Sequence, residues 1–168
     1  MKKLSLVILF IALSWINVNG QTAIGYYNSG TDKGELGDTR GAIQDYNKAI
    51  ELDSNYVAAY NNRGVAKGNL GDYHGAMQDY NKAIGFNPNY ADAYNNRGNS
   101  KLGLGDTRGA IQDYNKATEL NPNFTDAYMN RGISKFKLGD INGSCLDWSK
   151  ADELGSADAY DLIKEYCK

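Results

Sequence analysis

The chain has 168 residues, enough for one domain with a real core. Its 18 basic and 20 acidic residues give a formal charge of -2, and no basic run stands out, so nothing marks a nucleic-acid-binding face.

The first residues read as an address. Lys2 and Lys3 precede an apolar run from Leu4 to Leu13, broken only by Ser5, and Val18 and Gly20 sit where a signal peptidase would read them. The sequence predicts a signal peptide over 1–20, cleaved after Gly20, and a mature chain of 21–168. The alternative is an uncleaved anchor, but Leu4 to Ile16 is 13 residues, short of the roughly 20 that span a bilayer. No cysteine follows the run to take a lipid. Export, to a periplasm or to the medium, is therefore expected, with no integral membrane span in the mature chain. Loss of the two lysines leaves 16 basic against 20 acidic residues.

From residue 23 the chain repeats itself at a fixed period. AYNNRG at Ala59–Gly64 returns at Ala93–Gly98, and again, at the same interval, as AYMNRG at Ala127–Gly132. The blocks are 23–56, 57–90, 91–124 and a shortened 125–156, and a half-block, 157–168, starts again with ADAY. Each block predicts two helices divided at Leu-Gly-Asp, where Gly37, Gly71, Gly105 or Gly139 closes the first helix. Asp38, Asp72, Asp106 or Asp140 then caps the second. Pro88 and Pro122 stop the second helix and sit where a new one can begin.

The apolar rows predict the packing. Tyr26, Tyr60, Tyr94 and Tyr128 share a face with Gly30, Gly64, Gly98 and Gly132, four residues on. A mid-helix glycine costs about 1 kcal/mol relative to alanine, so keeping it four times implies a close neighbouring helix. On the second helices Ala42, Ala76, Ala110 and Ser144 alternate with Tyr46, Tyr80, Tyr114 and Trp148, then Ala49, Ala83, Ala117 and Ala151. Gly41, Gly75, Gly109 and Gly143 open these helices, where tolerance at an exposed first turn and contact with a partner are both open.

The period, the glycine on helix one, the Ala–aromatic–Ala stripe on helix two and the proline at the boundary resemble the tetratricopeptide repeat. The resemblance covers 23–168 and implies an all-α fold, a right-handed α-solenoid with a capping helix at 157–168. It also implies a scaffold that binds a partner protein or peptide, with no catalysis and no cofactor. The departures are Ser54 in place of proline, and Lys33, Lys67, Lys101 and Lys135 where the family often has tyrosine. Those lysines are expected to lay their stems on the surface and keep their heads in water.

In this family the first helices line a concave face, and the sixth residues of the blocks on that face are Asn28, Asn62, Asn96 and Asn130. The row resembles the asparagine ladder in the repeat domain of O-linked N-acetylglucosamine transferase, where amides hold the backbone of an extended peptide. An amide offers a donor and an acceptor, which match one peptide unit. The alternative is a tolerated polar row on a solvated face. Asn61, Asn95 and Asn99 extend the amide set, Asp92 and Asp126 add negative charge, and Tyr27, Val65, Met129, Ile133 and Phe136 supply apolar contact. The lysines and arginine with which chaperone-binding relatives clamp a terminal carboxylate correspond here to Asn, Met, Ala or Asp, so no such clamp is expected.

Arg63, Arg97 and Arg131 point instead towards the second helices, which carry Asp45, Asp79, Asp113 and Asp147. Block one has Ser29 in place of the arginine. An offset pairing therefore suggests itself, Asp45 with Arg63, Asp79 with Arg97 and Asp113 with Arg131, each stapling one repeat to the next. Pairing within a block, which leaves Asp45 without an arginine, is the alternative.

Catalytic chemistry is not legible. His74, the single histidine, falls at a surface position occupied by Arg40, Arg108 or Asn142 in the other blocks. The carboxylates recur by block, as structural residues do, and no metal-ligand spacing or nucleophile–base set appears. Cys145 lies on the second helix of block four and Cys167 in the terminal half-block, at similar height on antiparallel neighbours. In an oxidising compartment a disulfide between them would pin the cap; two buried thiols are the alternative.

Overall fold

A computed structural model of the protein describes residues 22–167; the predicted leader, 1–20, lies outside the described residues. Among them the chain forms nine α-helices and no strand. The first four are α1 (Ala23–Glu35), α2 (Thr39–Leu52), α3 (Val57–Asn69) and α4 (Tyr73–Phe86). They are followed by α5 (Ala91–Gly103), α6 (Thr107–Leu120), α7 (Thr125–Lys137), α8 (Ile141–Glu153) and the terminal α9 (Ala157–Tyr166).

The break inside each repeat is built as the Leu-Gly-Asp signal predicts. Gly37, Gly71, Gly105 and Gly139 take φ of 82–83°, the left-handed conformation that lets the next amide return to the helix it has left. The N–H of Asp38, Asp72, Asp106 and Asp140 then donates to the carbonyl of Lys33, Lys67, Lys101 and Lys135. The same aspartates accept at Oδ1 from the N–H of Gly41, Gly75, Gly109 and Gly143 at 2.8–2.9 Å. This decides why those glycines recur: a Cβ at any of them would collide with the capping carboxylate. Pro88 and Pro122 lie in the turns between repeats, just before α5 and α7 begin.

Contacts run between helices adjacent in sequence and between first helices of adjacent repeats, as in a solenoid. The small–large stripe of the second helices is the core: the alanine rows, Ser144, three tyrosines and Trp148 are all buried. Glycine on the first helices makes room for a ring rather than for a helix backbone. A Cβ on Gly30, Gly64, Gly98 or Gly132 would stand 2.5–2.8 Å from Tyr46, Tyr80, Tyr114 or Trp148 of the same repeat.

The last helix covers the end of the solenoid. Leu162, Ile163 and Cys167 pack with Met129, Ile133 and Phe136 around Trp148, and Tyr166 lies 4.7 Å from the Phe136 ring. Cys145 and Cys167 form a disulfide with their Cα atoms 5.7 Å apart. Met129, Ile133 and Phe136 are thereby drawn into the cap cluster.

Candidate peptide-binding face

The expected asparagine row is present, and it is bonded along its length. From the second repeat on, each sixth-position amide donates to the fifth-position residue of the preceding repeat. Asn62 Nδ2 reaches the Tyr27 hydroxyl at 3.1 Å, Asn96 Nδ2 reaches Asn61 Oδ1 at 3.1 Å, and Asn130 Nδ2 reaches Asn95 Oδ1 at 3.3 Å. Within a repeat, Asn61 Nδ2 donates to Asn62 Oδ1 at 3.2 Å and Asn95 Nδ2 to Asn96 Oδ1 at 3.5 Å. The result is one directional chain of hydrogen bonds, Asn130 to Asn95 to Asn96 to Asn61 to Asn62 to Tyr27, crossing all four first helices.

This sorts the predicted residues into two groups. Asn62, Asn96 and Asn130 are half-buried, whereas Asn61 and Asn95 are only 5% exposed. Placing those two in a ligand-facing set is therefore corrected: they lie buried in the seam between first helices and hydrogen-bond the outer amides. Asn28 is exposed and joins no link of the chain. Asn99 is exposed and accepts from the Tyr114 hydroxyl at 2.7 Å. Asp92 and Asp126 stand exposed in the first turns of α5 and α7, where a carboxylate also suits the helix N-terminus. Tyr27, expected to give apolar contact, also ends the amide chain through its hydroxyl. In Asn62 and Asn96 each amide keeps one N–H and one lone pair beyond its bonds in the chain.

The arginine pairing is also corrected. Arg63, Arg97 and Arg131 bind Asp79, Asp113 and Asp147 of their own repeat, through Nε at 2.9 Å and Nη2 at 2.5–2.7 Å. The bidentate fork closes on the carboxylate across the turn of the same helix pair. Asp45 is not left alone, because Ser29 Oγ donates to it at 2.6 Å and Lys33 Nζ lies 2.6 Å away. Burial pushes the Asp45 carboxyl up, but the bonds from Lys33 and Ser29 outweigh it and hold the group below its ordinary range.

The staple between repeats is an amide. Nη1 of Arg63, Arg97 and Arg131 donates to Asn47, Asn81 and Asn115 of the preceding second helix at 2.6–2.9 Å. The signal for it was present in the recurring Asp-Tyr-Asn-Lys-Ala. The lysine row, expected to point into water, instead closes on the same carboxylates at 2.6–2.8 Å. Beside this seam Tyr80 and Tyr114 are held well above the ordinary phenol range, first by burial and then by the neighbouring Asp79 or Asp113.

Among the described residues no group of histidine, cysteine, aspartate and glutamate could hold a metal ion, and no helix is long and apolar enough to cross a membrane. His74 is exposed on the first turn of α4.

Comparison with known proteins agrees with this architecture. Residues 35–71 and 68–105 match the family profile described as TPR repeat, and 91–124 the profile described as tetratricopeptide repeat. A search of curated proteins returns no match. A crystal structure of MamA superposes with a TM-score of 0.76 at 24% identity, covering 88% of this chain and 86% of that one. The first TPR domain of Spaghetti (RPAP3), bound to the HSP90 peptide SRMEEVD, is 28% identical with a TM-score of 0.69 over 74% of this chain and 98% of that one. TTC0263, a thermophilic TPR protein of Thermus thermophilus, is 16% identical with a TM-score of 0.73, covering 80% of this chain and 75% of that one.

Proposed function

Because the chain belongs to the tetratricopeptide repeat family, we propose that it is a non-catalytic scaffold holding an extended segment of a partner protein on the amide face of its first helices. The observation that carries this reading is the amide chain from Asn130 to Tyr27. Bonds to Asn61 and Asn95 fix the outer amides before a ligand arrives, so little side-chain entropy remains to be lost on binding. Each fixed amide still presents a donor and an acceptor, the complement of one peptide unit. Asp92 and Asp126 bias the far half of the face towards basic segments. The peptide held by the Spaghetti domain supports a peptide ligand for this fold. Lysine or arginine for a terminal-carboxylate clamp is absent from the matching positions, which argues for an internal segment.

We also read the protein as exported. The leader-like sequence over 1–20 and the Cys145–Cys167 bridge both suit an oxidising compartment.

The test is peptide binding by Asn62→Ala/Asn96→Ala. Losing two neutral hydrogen bonds of about 0.5–1.5 kcal/mol each should weaken binding roughly 5- to 150-fold. Asn61→Ala is the control: it frees the outer Asn62 and Asn96 amides but keeps both, so its affinity should fall by clearly less than that of the double variant. If it loses affinity as the double variant does, the effect is structural and the groove reading fails.

A second reading, self-association, rests on Leu146. It is 73% exposed on α8, where the earlier repeats carry Gln44, Gln78 and Gln112. Light scattering whose mass does not rise with concentration, or rises equally in Leu146→Gln, would exclude it.

A further inference from the structure

We propose that the outer side of the second repeat is a separate docking pocket for a glutamate side chain of a partner protein, lined by Tyr60, Arg63, Lys67, Lys82 and Phe86. The second helices end in a repeated phrase. It reads Lys48-Ala-Ile-Glu51-Leu52 in the first repeat, Lys116-Ala-Thr-Glu119-Leu120 in the third and Lys150-Ala-Asp-Glu153-Leu154 in the fourth. In those three the lysine closes on the glutamate one helical turn later, at 2.7, 2.9 and 3.0 Å. The second repeat breaks the phrase: it reads Lys82-Ala-Ile-Gly85-Phe86. Gly85 is helical and open, with no atom within 4 Å of where a Cβ would stand. Among the described residues Lys82 has no carboxylate in salt-bridge range, unlike its three counterparts.

A cavity of about 810 Å³ opens at this place, within the range of about 300–1,000 Å³ typical of ligand sites. Its lining carries Arg63, Lys67 and Lys82 against the single carboxylate of Asp79. Both oxygens of Asp79 are already engaged by Arg63 and Lys67, so it does not offset Lys82. The pocket thus has a positive surplus that glutamate reduces in the third and fourth repeats. One wall is aromatic: the Tyr60 and Phe86 rings stand 5.9 Å apart, and the Arg63 guanidinium lies 5.4 Å over Tyr60. Phe86 replaces the leucine of the other repeats and is exposed. A lysine set for an i,i+3 glutamate, with no glutamate in its own helix, is complementary to one from another chain. The adjacent ring offers apolar surface to the residue beside it. No residue of this pocket lines the cavities beside Asn62, Val65, Asn96 and Asn99, so the two sites can be occupied independently.

The test is an NMR titration of ¹⁵N-labelled protein with acetyl-Ala-Thr-Glu-Leu-Asn-amide, the phrase of the third repeat. Shifts should centre on Lys82–Phe86 and Arg63, and should be unchanged in the Asn62→Ala/Asn96→Ala variant. The same peptide with glutamine for glutamate should bind roughly fivefold more weakly, as should wild-type peptide to Lys82→Gln. Gly85→Glu supplies the carboxylate within the chain and should weaken binding by at least the same factor without lowering the melting temperature. Glu119→Gly with Leu120→Phe should create a second site around Lys116. Absence of shifts at millimolar peptide, equal binding of the glutamine peptide, or unaltered binding by Gly85→Glu overturns the proposal. So does displacement of the peptide by equimolar inorganic phosphate, which would make this a small-anion site.

Discussion

Asp113→Ala tests the seam that joins the helices of a repeat. Asp113 is buried and receives the Arg97 fork at 2.7 and 2.9 Å and Lys101 at 2.8 Å. The hydrogen bond to Asp113 also raises the Arg97 guanidinium above its already high range. Removing the carboxylate strands two cations whose side chains are 19% and 18% exposed. Breaking a fully buried pair costs about 3–5 kcal/mol, and the residual exposure lets water recover part of it, so about 2–4 kcal/mol is expected. Asp45→Ala is the internal comparison. Its partners are a neutral Ser29 and a Lys33 that is 39% exposed and can swing into solvent. The loss there should be nearer 1 kcal/mol. Urea unfolding followed by far-UV circular dichroism reads both, with native-state hydrogen exchange locating the Asp113→Ala loss in α5 and α6. A double-mutant cycle with Arg97→Ala should show the double variant losing less than the two single losses together, since one of the two stranded charges is gone. Equal losses for Asp113→Ala and Asp45→Ala, within about 0.5 kcal/mol, would refute the reasoning by showing that the arginine fork adds nothing over serine and lysine.

Three further outcomes follow from the same geometry. Gly98→Ala places a Cβ 2.6 Å from Tyr114 and should cost about 1–3 kcal/mol, whereas Gly85→Ala meets nothing and should gain up to about 1 kcal/mol, both read by thermal melting. Asp45 titrates below its ordinary 3.8 in the folded protein, so the stability it contributes is present above that pH and is lost as pH falls through the folded value. Asp45→Asn should accordingly remove part of the acid-limb loss, and superimposable acid titrations of the two proteins would contradict this. Cys145→Ser with Cys167→Ser opens a loop of about 23 residues and should cost roughly 3 kcal/mol in the chain-entropy model. Hydrogen exchange should accelerate in α9 and at Trp148, with α1–α4 unaffected.

The fold was legible because its signals are local and repeated. Gly37 and Asp38 state a helix end and a helix start side by side, and the chain writes that statement four times. The pairing across helices was not legible, because a strict period hides register. Arginines and aspartates each recur once per block. For Arg97, Asp113 ahead of it and Asp79 behind it lie at nearly the same distance along the chain, so both fit the pattern. Ser29 favours the offset on pattern alone, since pairing within a block leaves Asp45 without an arginine. The missing fact was chemical: a serine hydroxyl and a lysine together satisfy the carboxylate that arginine holds elsewhere, so the register of the seam survives the substitution. The amide row hides its register in the same way. Asn61 and Asn62 look like one exposed pair, yet a helix turns successive residues by about 100°, and one neighbour faces the next repeat while the other faces outward. The bonds that join repeats, such as Asn96 to Asn61, run one residue out of period, where a search for equivalent positions does not look. The departures from the repeat are where specificity can be written. Gly85 and Phe86 alter one copy of a surface that the other three complete for themselves, and a solenoid that binds by its backbone-reading amides alone would have no use for that difference.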